Sequence, residues 1–318
     1  MSALRVTVTG ATGLVGPSLI VALRERGAEV TVLTRDPARA QAKLGEVTAV
    51  RWDLMGEPAP AEALAGRDAV VHLAGEPVAQ RWSAAAKRAI RESRVTGTRN
   101  LVAGLAHADR SAAPPAEPVV GQRPPTLISS SAIGYYGPHG EEPLDEDAPP
   151  GGDFLAQVCF DWEAEADRAS ELGARVVQVR TGVVLDSAGG ALGKMLTPFR
   201  LGVGGPVAGG RQYVSWIHTD DLVGMMLAAI DDERWSGPIN ATAPEPVPNR
   251  DFSRVLGRVL RRPSLLPVPG LALRALYGEM AEIVTTGARA VPAKPLVLGY
   301  EFRHPQLEEA LRSAIAAG

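Results

Sequence analysis

Cysteine is nearly absent: Cys159 stands alone in 318 residues, which excludes an internal disulfide and fits a reducing compartment. No apolar run approaches the roughly 18 to 20 residues needed to cross a bilayer. The chain opens on a strand pattern that runs straight into glycines, so neither a membrane span nor a secretory leader is expected. An excess of one charge is missing too. With 33 Lys and Arg against 36 Asp and Glu the net charge is -3, which leaves no basic surface for nucleic acid and no disordered acidic tail. The five histidines are scattered, with no i, i+4 pair and no companion cysteines, so no metal site is expected. A Gly-x-Ser-x-Gly nucleophile elbow is also lacking. What remains is an ordinary composition, 45% hydrophobic, for a soluble and cytoplasmic protein of one large α/β domain or one and a half.

Against that background stands the stretch Val6-Thr7-Val8-Thr9-Gly10-Ala11-Thr12-Gly13-Leu14-Val15-Gly16. A β-branched apolar run gives way to spaced glycines and then to an amphipathic helix pattern, Leu14 to Arg26, ended by Gly27. Gly10 permits a tight strand-to-helix turn, Gly13 clears the approach of a pyrophosphate, and Gly16 lets the helix lie close on its strand. The first-turn amides and the helix dipole favour that anion. A glycine triplet gains meaning from its place between a strand and a helix, at the head of a β-α-β pattern.

The second strand, Glu29 to Leu33, ends at Thr34-Arg35. In dinucleotide folds a carboxylate here accepts from the ribose 2′-hydroxyl, whereas an arginine accommodates a 2′-phosphate. Arg35, with Thr34 as a hydroxyl donor beside it, argues for NADP(H) over NAD(H). A surface-only arginine is the alternative. Asp36-Pro37 reads as a helix N-cap and first helical position. A third strand, Val47 to Trp52, leads to Asp53-Leu54, placed for an adenine edge. The fourth, Ala69 to Gly75, ends in the small residues Ala74 and Gly75, which would lie along the cofactor; His72 inside it reads as a hydrogen-bonded core histidine.

The next helix carries Glu92 to Leu101, and Ser111 to Pro125, rich in Ala and Pro, reads as a surface loop. The fifth strand, Thr126 to Ile128, runs into Ser129-Ser130-Ser131-Ala132-Ile133-Gly134-Tyr135-Tyr136-Gly137, hydroxyls and phenols at the carboxyl end where such sheets bind ligands. A helix over Phe154 to Leu172 and a sixth strand, Ala174 to Gly182, follow. The alternation predicts a doubly wound, Rossmann-type parallel sheet with right-handed crossovers.

Beyond about Leu185 the rhythm changes. Gly189-Gly190 and Gly202-Val203-Gly204-Gly205-Pro206 mark a mobile segment, and Trp216-Ile217-His218-Thr219-Asp220-Asp221 introduces a helix with Thr219 or Asp220 near its N-cap. The last third reads as helices over Asn249 to Leu260, Pro263 to Pro269, Gly270 to Tyr277, Gly278 to Val291 and Pro305 to Ala317. The expected division is a cofactor-binding domain over 1–185, joined by 215–240, and a smaller, mainly helical lid from 186–214 and 241–318.

These residues together resemble an extended short-chain dehydrogenase/reductase, in particular the atypical, epimerase-like subgroup that ends in a short C-terminal domain of unassigned function. The phrases are Gly10-x-x-Gly13-x-x-Gly16, Leu73-Ala74-Gly75-Glu76-Pro77, Ser93-Arg94, Gly134-Tyr135-Tyr136-Gly137, Pro198-Phe199-Arg200-Leu201-Gly202, Ser215-Trp216-Ile217-His218 and Asn240-Ala241-Thr242-Ala243-Pro244. The resemblance spans nearly the whole chain and implies a nucleotide-sugar-epimerase type of fold, NADP(H) as cofactor and a homodimer. It implies cofactor contacts at Gly10, Thr12, Gly13, Leu14, Val15, Gly16, Thr34, Arg35, Leu73, Ala74, Arg94 and Val183; Ser130, adjacent to the expected serine, joins them.

The same superfamily places a Tyr and a Lys four residues apart on the helix after the fifth strand, so that one turn sets them on one face and the ammonium lowers the phenol pKa. Here that helix reads Phe154-Leu155-Ala156-Gln157-Val158-Cys159-Phe160-Asp161-Trp162-Glu163, and alignment on Glu163 leaves Leu155 and Cys159 at the two positions. The serine partner is Ser131. The usual Asn is matched by Arg94, which would bind a cofactor phosphate or a substrate anion, or else face outward in a salt bridge. Tyr135 and Tyr136 are the nearest phenols: a displaced acid, a nicotinamide stack, or packing. Cys159 reads as a small buried hydrophobe, and His218 as a cap or brace of the Trp216 segment. Arg200 and Arg211 flank the glycine segment and would hold an anionic substrate, or stay solvated.

Two functions fit this pattern. One is an NADP(H)-dependent oxidoreductase or epimerase acting on a small polar substrate, with Ser131 at the reacting oxygen and Tyr135, Tyr136 or water moving the proton. The other is a dinucleotide-binding regulatory or scaffold protein without turnover.

Overall fold

The computed structural model describes residues 3–111 and 125–317. Chain order begins β1 (Arg5–Thr9), α1 (Gly16–Glu25), β2 (Glu29–Thr34), α2 (Pro37–Leu44), β3 (Thr48–Arg51), β4 (Ala69–His72), α3 (Ala84–Ser111) and β5 (Thr126–Ala132). It continues β6 (Pro143–Leu144), α4 (Phe154–Asp167), β7 (Arg175–Thr181), β8 (Val183–Leu185), α5 (Gly190–Arg200), β9 (Tyr213–Val214), β10 (Trp216–His218), α6 (Thr219–Asp231) and β11 (Gly237–Ala241). The end is β12 (Val247–Pro248), α7 (Asn249–Leu260), α8 (Gly270–Tyr277), α9 (Glu282–Thr285), β13 (Arg289–Ala290), α10 (Ala293–Val297) and α11 (Leu307–Ala316).

Seven strands form one sheet in the order β11-β7-β5-β4-β1-β2-β3, and every neighbouring pair is parallel. Strands buried on both faces need continuous apolar runs. Val6, Val8, Val32 and Val71 pack under α1 and α6, while Leu33, Val70 and Leu127 pack under α3 and the end of α4. The order reverses between β1 and β4, and the crevice at their carboxyl ends is where such sheets take ligands. The segment after β10 returns to this body: α6 shares the core of α1 and β11 extends the sheet beside β7. A separate core joins α5, α7 and α11 around Trp216, Phe252 and Leu311.

Several elements differ from the sequence reading. The first helix begins at Gly16, so Gly13 to Val15 belong to the turn itself. The fifth strand continues through the serines to Ala132, because β7 pairs with it along its length. Residues 263–269 form no helix; Pro263, Pro267 and Pro269 remove the donors a helix needs, and Val268 bridges to Val207 instead. The stretch from Gly278 breaks into a 3-10 turn, the single turn α9 and β13. Its end is drawn extended by pairing with β6 and by Ser215, whose hydroxyl donates to the Ala288 carbonyl (2.8 Å) and accepts from the Ala290 amide (3.0 Å). Tertiary bonds overrode local helix preference there. His218, read as a cap or brace, is the N-cap of α6, its Nδ1 accepting from the Asp220 amide at 3.1 Å, with Thr219 and Asp220 the first helical residues. The expected loop at Ser111 to Pro125 lies almost wholly outside the described residues.

Candidate functional site

The glycine elbow is shaped by close approaches. Gly10 has φ +67°, and a Cβ there would stand 2.6 Å from the Ala74 nitrogen and the Leu73 carbonyl carbon, so β1 and β4 meet backbone to backbone at the switch point. A Cβ on Gly16 would run into the Ala11 backbone. Gly13 differs: it is exposed, and its Cβ would meet only the Gly10 oxygen, at 3.1 Å. The side chain is missing where the crevice opens. Val15, the N-cap of α1, offers no side-chain acceptor, so the first-turn amides keep donors for an anion. Thr12 is tied across the elbow by Lys43, whose ammonium donates to its carbonyl at 2.9 Å.

At the end of β2 the competing carboxylate is diverted. Asp36 accepts from the Arg39 amide at 3.0 Å as the N-cap of α2, and its own amide donates to the Thr34 hydroxyl at 3.3 Å. Arg35 is exposed and pairs with no carboxylate among the described residues. Asp53, beyond β3, is exposed and accepts from the Met55 amide (3.1 Å); Leu54 packs on Gly97 of α3. Leu73 and Ala74 both donate to Thr9, to its carbonyl (3.1 Å) and hydroxyl (3.3 Å). The same hydroxyl lies 2.7 Å from His72 Nδ1. Burial, with Arg94 adding to it, pushes His72 down to about 4, so it is a neutral core histidine. Val183 starts β8 and donates to the Ser215 carbonyl (2.8 Å).

Arg94 turns inward from α3. Its guanidinium donates to the carbonyls of Glu76 (3.0 Å) and Ile90 (3.1 Å), lies 5.1 Å from the Trp162 ring centre, and faces Gly75. It joins no carboxylate among the described residues, so the outward salt bridge is not formed. Arg94 borders Cys159 of α4.

Ser131 sits on β5 in register with Arg180 of β7, and both reach Glu163 of α4. The Ser131 hydroxyl donates to Glu163 Oε1 at 2.6 Å, while Arg180 donates through Nε and Nη2 to the two carboxylate oxygens, each at 2.9 Å. Burial alone would lower the Arg180 pKa; the bonds to Glu163 outweigh it and raise it. Arg180 Nη1 also donates to the Tyr136 hydroxyl (3.0 Å) and the Glu146 carbonyl (2.9 Å). Tyr136 is fully buried, its hydroxyl also within 2.7 Å of Asn240 Oδ1, and burial pushes it up to about 12. A phenol closed in the core has no path to a bound substrate, so Tyr136 is removed as the proton donor.

Tyr135 is only half-buried. The Arg180 guanidinium lies 3.5 Å from its ring centre, and burial, against the pull of Arg180, raises its pKa. Gly134 brings this segment against Leu155 and Cys159; a Cβ there would lie 3.5 Å from Leu155. Cys159 is buried, and burial and the Glu163 carboxylate push its thiol up to about 12, which leaves it inert. Ser130 is half-buried beside the crevice. Arg200 and Arg211 are both exposed, the first at the end of α5 and the second before β9, and neither forms an ion pair with a described residue.

Sequence reasoning missed the part played by Arg180. The signal was there: an arginine inside the apolar strand Arg175–Thr181 needs a buried partner. Lys43 carried no such mark, because only the packing of α2 brings it over Thr12.

With this geometry in place, residues 6–241 match the model of the NAD dependent epimerase/dehydratase family. The chain belongs to that family. Residues 268–314 match a second family model, a domain of unknown function (DUF1731), so the epimerase-family chain carries the short C-terminal domain its sequence resembled. It is 40% identical over 312 residues to the chloroplastic epimerase family protein SDR39U1 homolog of Arabidopsis thaliana, covering 98% of this chain and 87% of the relative. It is 35% identical over 314 residues to the epimerase family protein YfhF of Bacillus subtilis, covering 98% of each. A crystal structure of human epimerase family protein SDR39U1 with NADPH superposes with a TM-score of 0.82 at 33% identity, covering 98% of this chain and 99% of that one.

Proposed function

We propose that this epimerase-family protein is a cytoplasmic NADP(H)-dependent oxidoreductase that acts on a small polar substrate, with residues 1–185 and 215–240 holding the cofactor and 186–214 with 241–318 the substrate. The observation that carries the cofactor reading is Arg35: an exposed guanidinium at the end of β2, its neighbouring carboxylate occupied by the α2 amide. A 2′-phosphate fits that corner better than a bare hydroxyl. The NADPH in the crystal structure of the human relative supports the same reading. Thr12, Gly13, Leu14 and Val15 line the pyrophosphate turn, Asp53 and Leu54 the adenine, and Leu73, Ala74, Gly75 and Arg94 the edge of the crevice.

NADPH, when bound, supplies the hydride. The chain's part is the proton, and Tyr135 is the group suited to it. A tyrosine phenol, with an ordinary pKa of about 10, is protonated at neutral pH and can act as an acid toward a carbonyl oxygen, the direction of reduction, and its half-exposed side chain recovers the proton from water. The Ser131 hydroxyl already donates its hydrogen bond to Glu163, so toward a substrate it would act as an acceptor. Arg200 and Arg211 would hold an anionic part of the substrate.

Leu155 and Cys159 in place of the Tyr–Lys pair favour a second reading, a dinucleotide-binding regulatory or scaffold protein. Incubating the protein and NADPH with a panel of carbonyl compounds separates the two. Oxidation that falls by about 10²-fold or more in Tyr135→Phe at unchanged NADPH affinity supports the enzyme. Tight NADPH binding with no oxidation on any carbonyl supports the regulator.

A further inference from the structure

Charge is unevenly distributed along this chain. From Ser187 to Thr219, and again from Phe252 to Gly278, there is no aspartate or glutamate, while the two stretches carry Lys194, Arg200, Arg211, Arg254, Arg258, Arg261, Arg262 and Arg274. In a protein of net charge -3 that is a marked separation. The fold then brings the two stretches together. Val207 bridges to Val268, the Val268 amide donates to the Pro206 carbonyl (2.8 Å), the Ala208 amide donates to the Val268 carbonyl (3.0 Å), and Gly202 lies against Pro263. These contacts set residues 202–208 beside residues 263–270.

This region is apolar as well as cationic. Leu265 is 84% exposed, Leu271 81% and Leu201 72%, with Leu266, Leu276 and Val203 more than half exposed beside them. Helix α8 buries none of its residues, so no core face accounts for its leucines. Each exposed leucine has an arginine close by in the chain: Arg200 precedes Leu201, Arg261-Arg262 precede Leu265-Leu266, and Arg274 lies between Leu271 and Leu276. Arg254, Arg258 and Arg274 are paired with Asp251, Glu308 and Glu282, all outside the two stretches. Arg261 and Arg262, exposed beside Leu265 and Leu266, form no ion pair with any described residue.

We propose that this face docks on an anionic lipid bilayer. Leucine tips collared by unpaired guanidinium groups match the boundary between acyl chains and anionic headgroups, where apolar side chains sink a short way and arginines stay at the phosphates. A second copy of the chain is the poorer occupant, because a twofold contact sets such a surface against itself, arginine opposite arginine. Docking here is adsorption, since among the described residues no helix is long and apolar enough to cross a membrane.

The test is co-sedimentation of the full chain with vesicles of phosphatidylcholine alone and of phosphatidylcholine mixed with phosphatidylglycerol. The expected result is about tenfold or greater preference for the anionic vesicles, weakened by salt. Arg262→Glu should abolish the preference, and Leu265→Ser with Leu266→Ser should weaken binding with the charge unchanged. Both variants should keep the parent's melting temperature and NADPH affinity, which shows that the fold is intact. Equal retention on both vesicles, no retention on either, or variants that bind as the parent does would overturn the proposal. So would sedimentation velocity showing a self-associated parent that ignores vesicles and falls to monomers on loss of the two leucines.

Discussion

Ser131 and Arg180 lie side by side on neighbouring strands and share one carboxylate, that of Glu163. The hydroxyl gives it a proton bond, and the guanidinium holds both its oxygens. Removing either charge leaves the other buried without its partner. Arg180→Met is therefore expected to cost about 3 to 5 kcal/mol of stability in urea denaturation. Combining it with Glu163→Gln should cost clearly less than the two single losses added together. Simple additivity would mean the two charges are not coupled.

The glycines of the elbow should separate folding from binding. Gly16→Ala drives a methyl into the Ala11 backbone and is expected to destabilise by about 1 to 3 kcal/mol. Gly13→Ala meets only the Gly10 oxygen at 3.1 Å, so its melting temperature should stay near the parent's. Its NADPH affinity should fall about tenfold or more, because the methyl occupies the approach of the pyrophosphate. Titration calorimetry with a melting curve for each variant checks both; a Gly13→Ala protein that binds NADPH as the parent does contradicts the placement.

His72 makes stability fall on the acid side. Once released by unfolding it takes up a proton below its ordinary value of about 6.5, whereas the folded protein holds it neutral down to about 4. The unfolded state binds more protons between those values, so stability declines as the pH drops through that window, by about 2 kcal/mol at pH 5. His218, lowered by burial and by His304, works in the same direction. Urea denaturation at pH 7 and pH 5 should show a smaller decline for His72→Asn than for the parent. Equal declines would assign the acid sensitivity elsewhere.

The parallel sheet was legible from the alternation of apolar strands with amphipathic helices, and the crevice from Gly10, Gly13 and Gly16, because both signals are local. The N-cap Asp36 was legible for the same reason. Other features were set by partners far along the chain. The extension of β5 through Ser131 depends on β7 alongside it, and the strand at Arg289–Ala290 depends on Ser215 and on Pro143–Leu144. Tyr135 and Tyr136 are adjacent in sequence and alike in chemistry, yet one is half-exposed and the other fully buried. Only the 3-10 turn over Ile133–Tyr136 decides which is which.

Selection of the phosphorylated cofactor rests on Arg35, and the direct measurement is the dissociation constant of NADPH beside that of NADH, for the parent and for Arg35→Ala. The parent is expected to prefer NADPH by about tenfold or more, and Arg35→Ala to lose that preference by weakening NADPH alone, since a charge-assisted contact to phosphate is worth about 1.5 to 3 kcal/mol. Equal affinities in the parent, or a preference that survives the loss of Arg35, would contradict it.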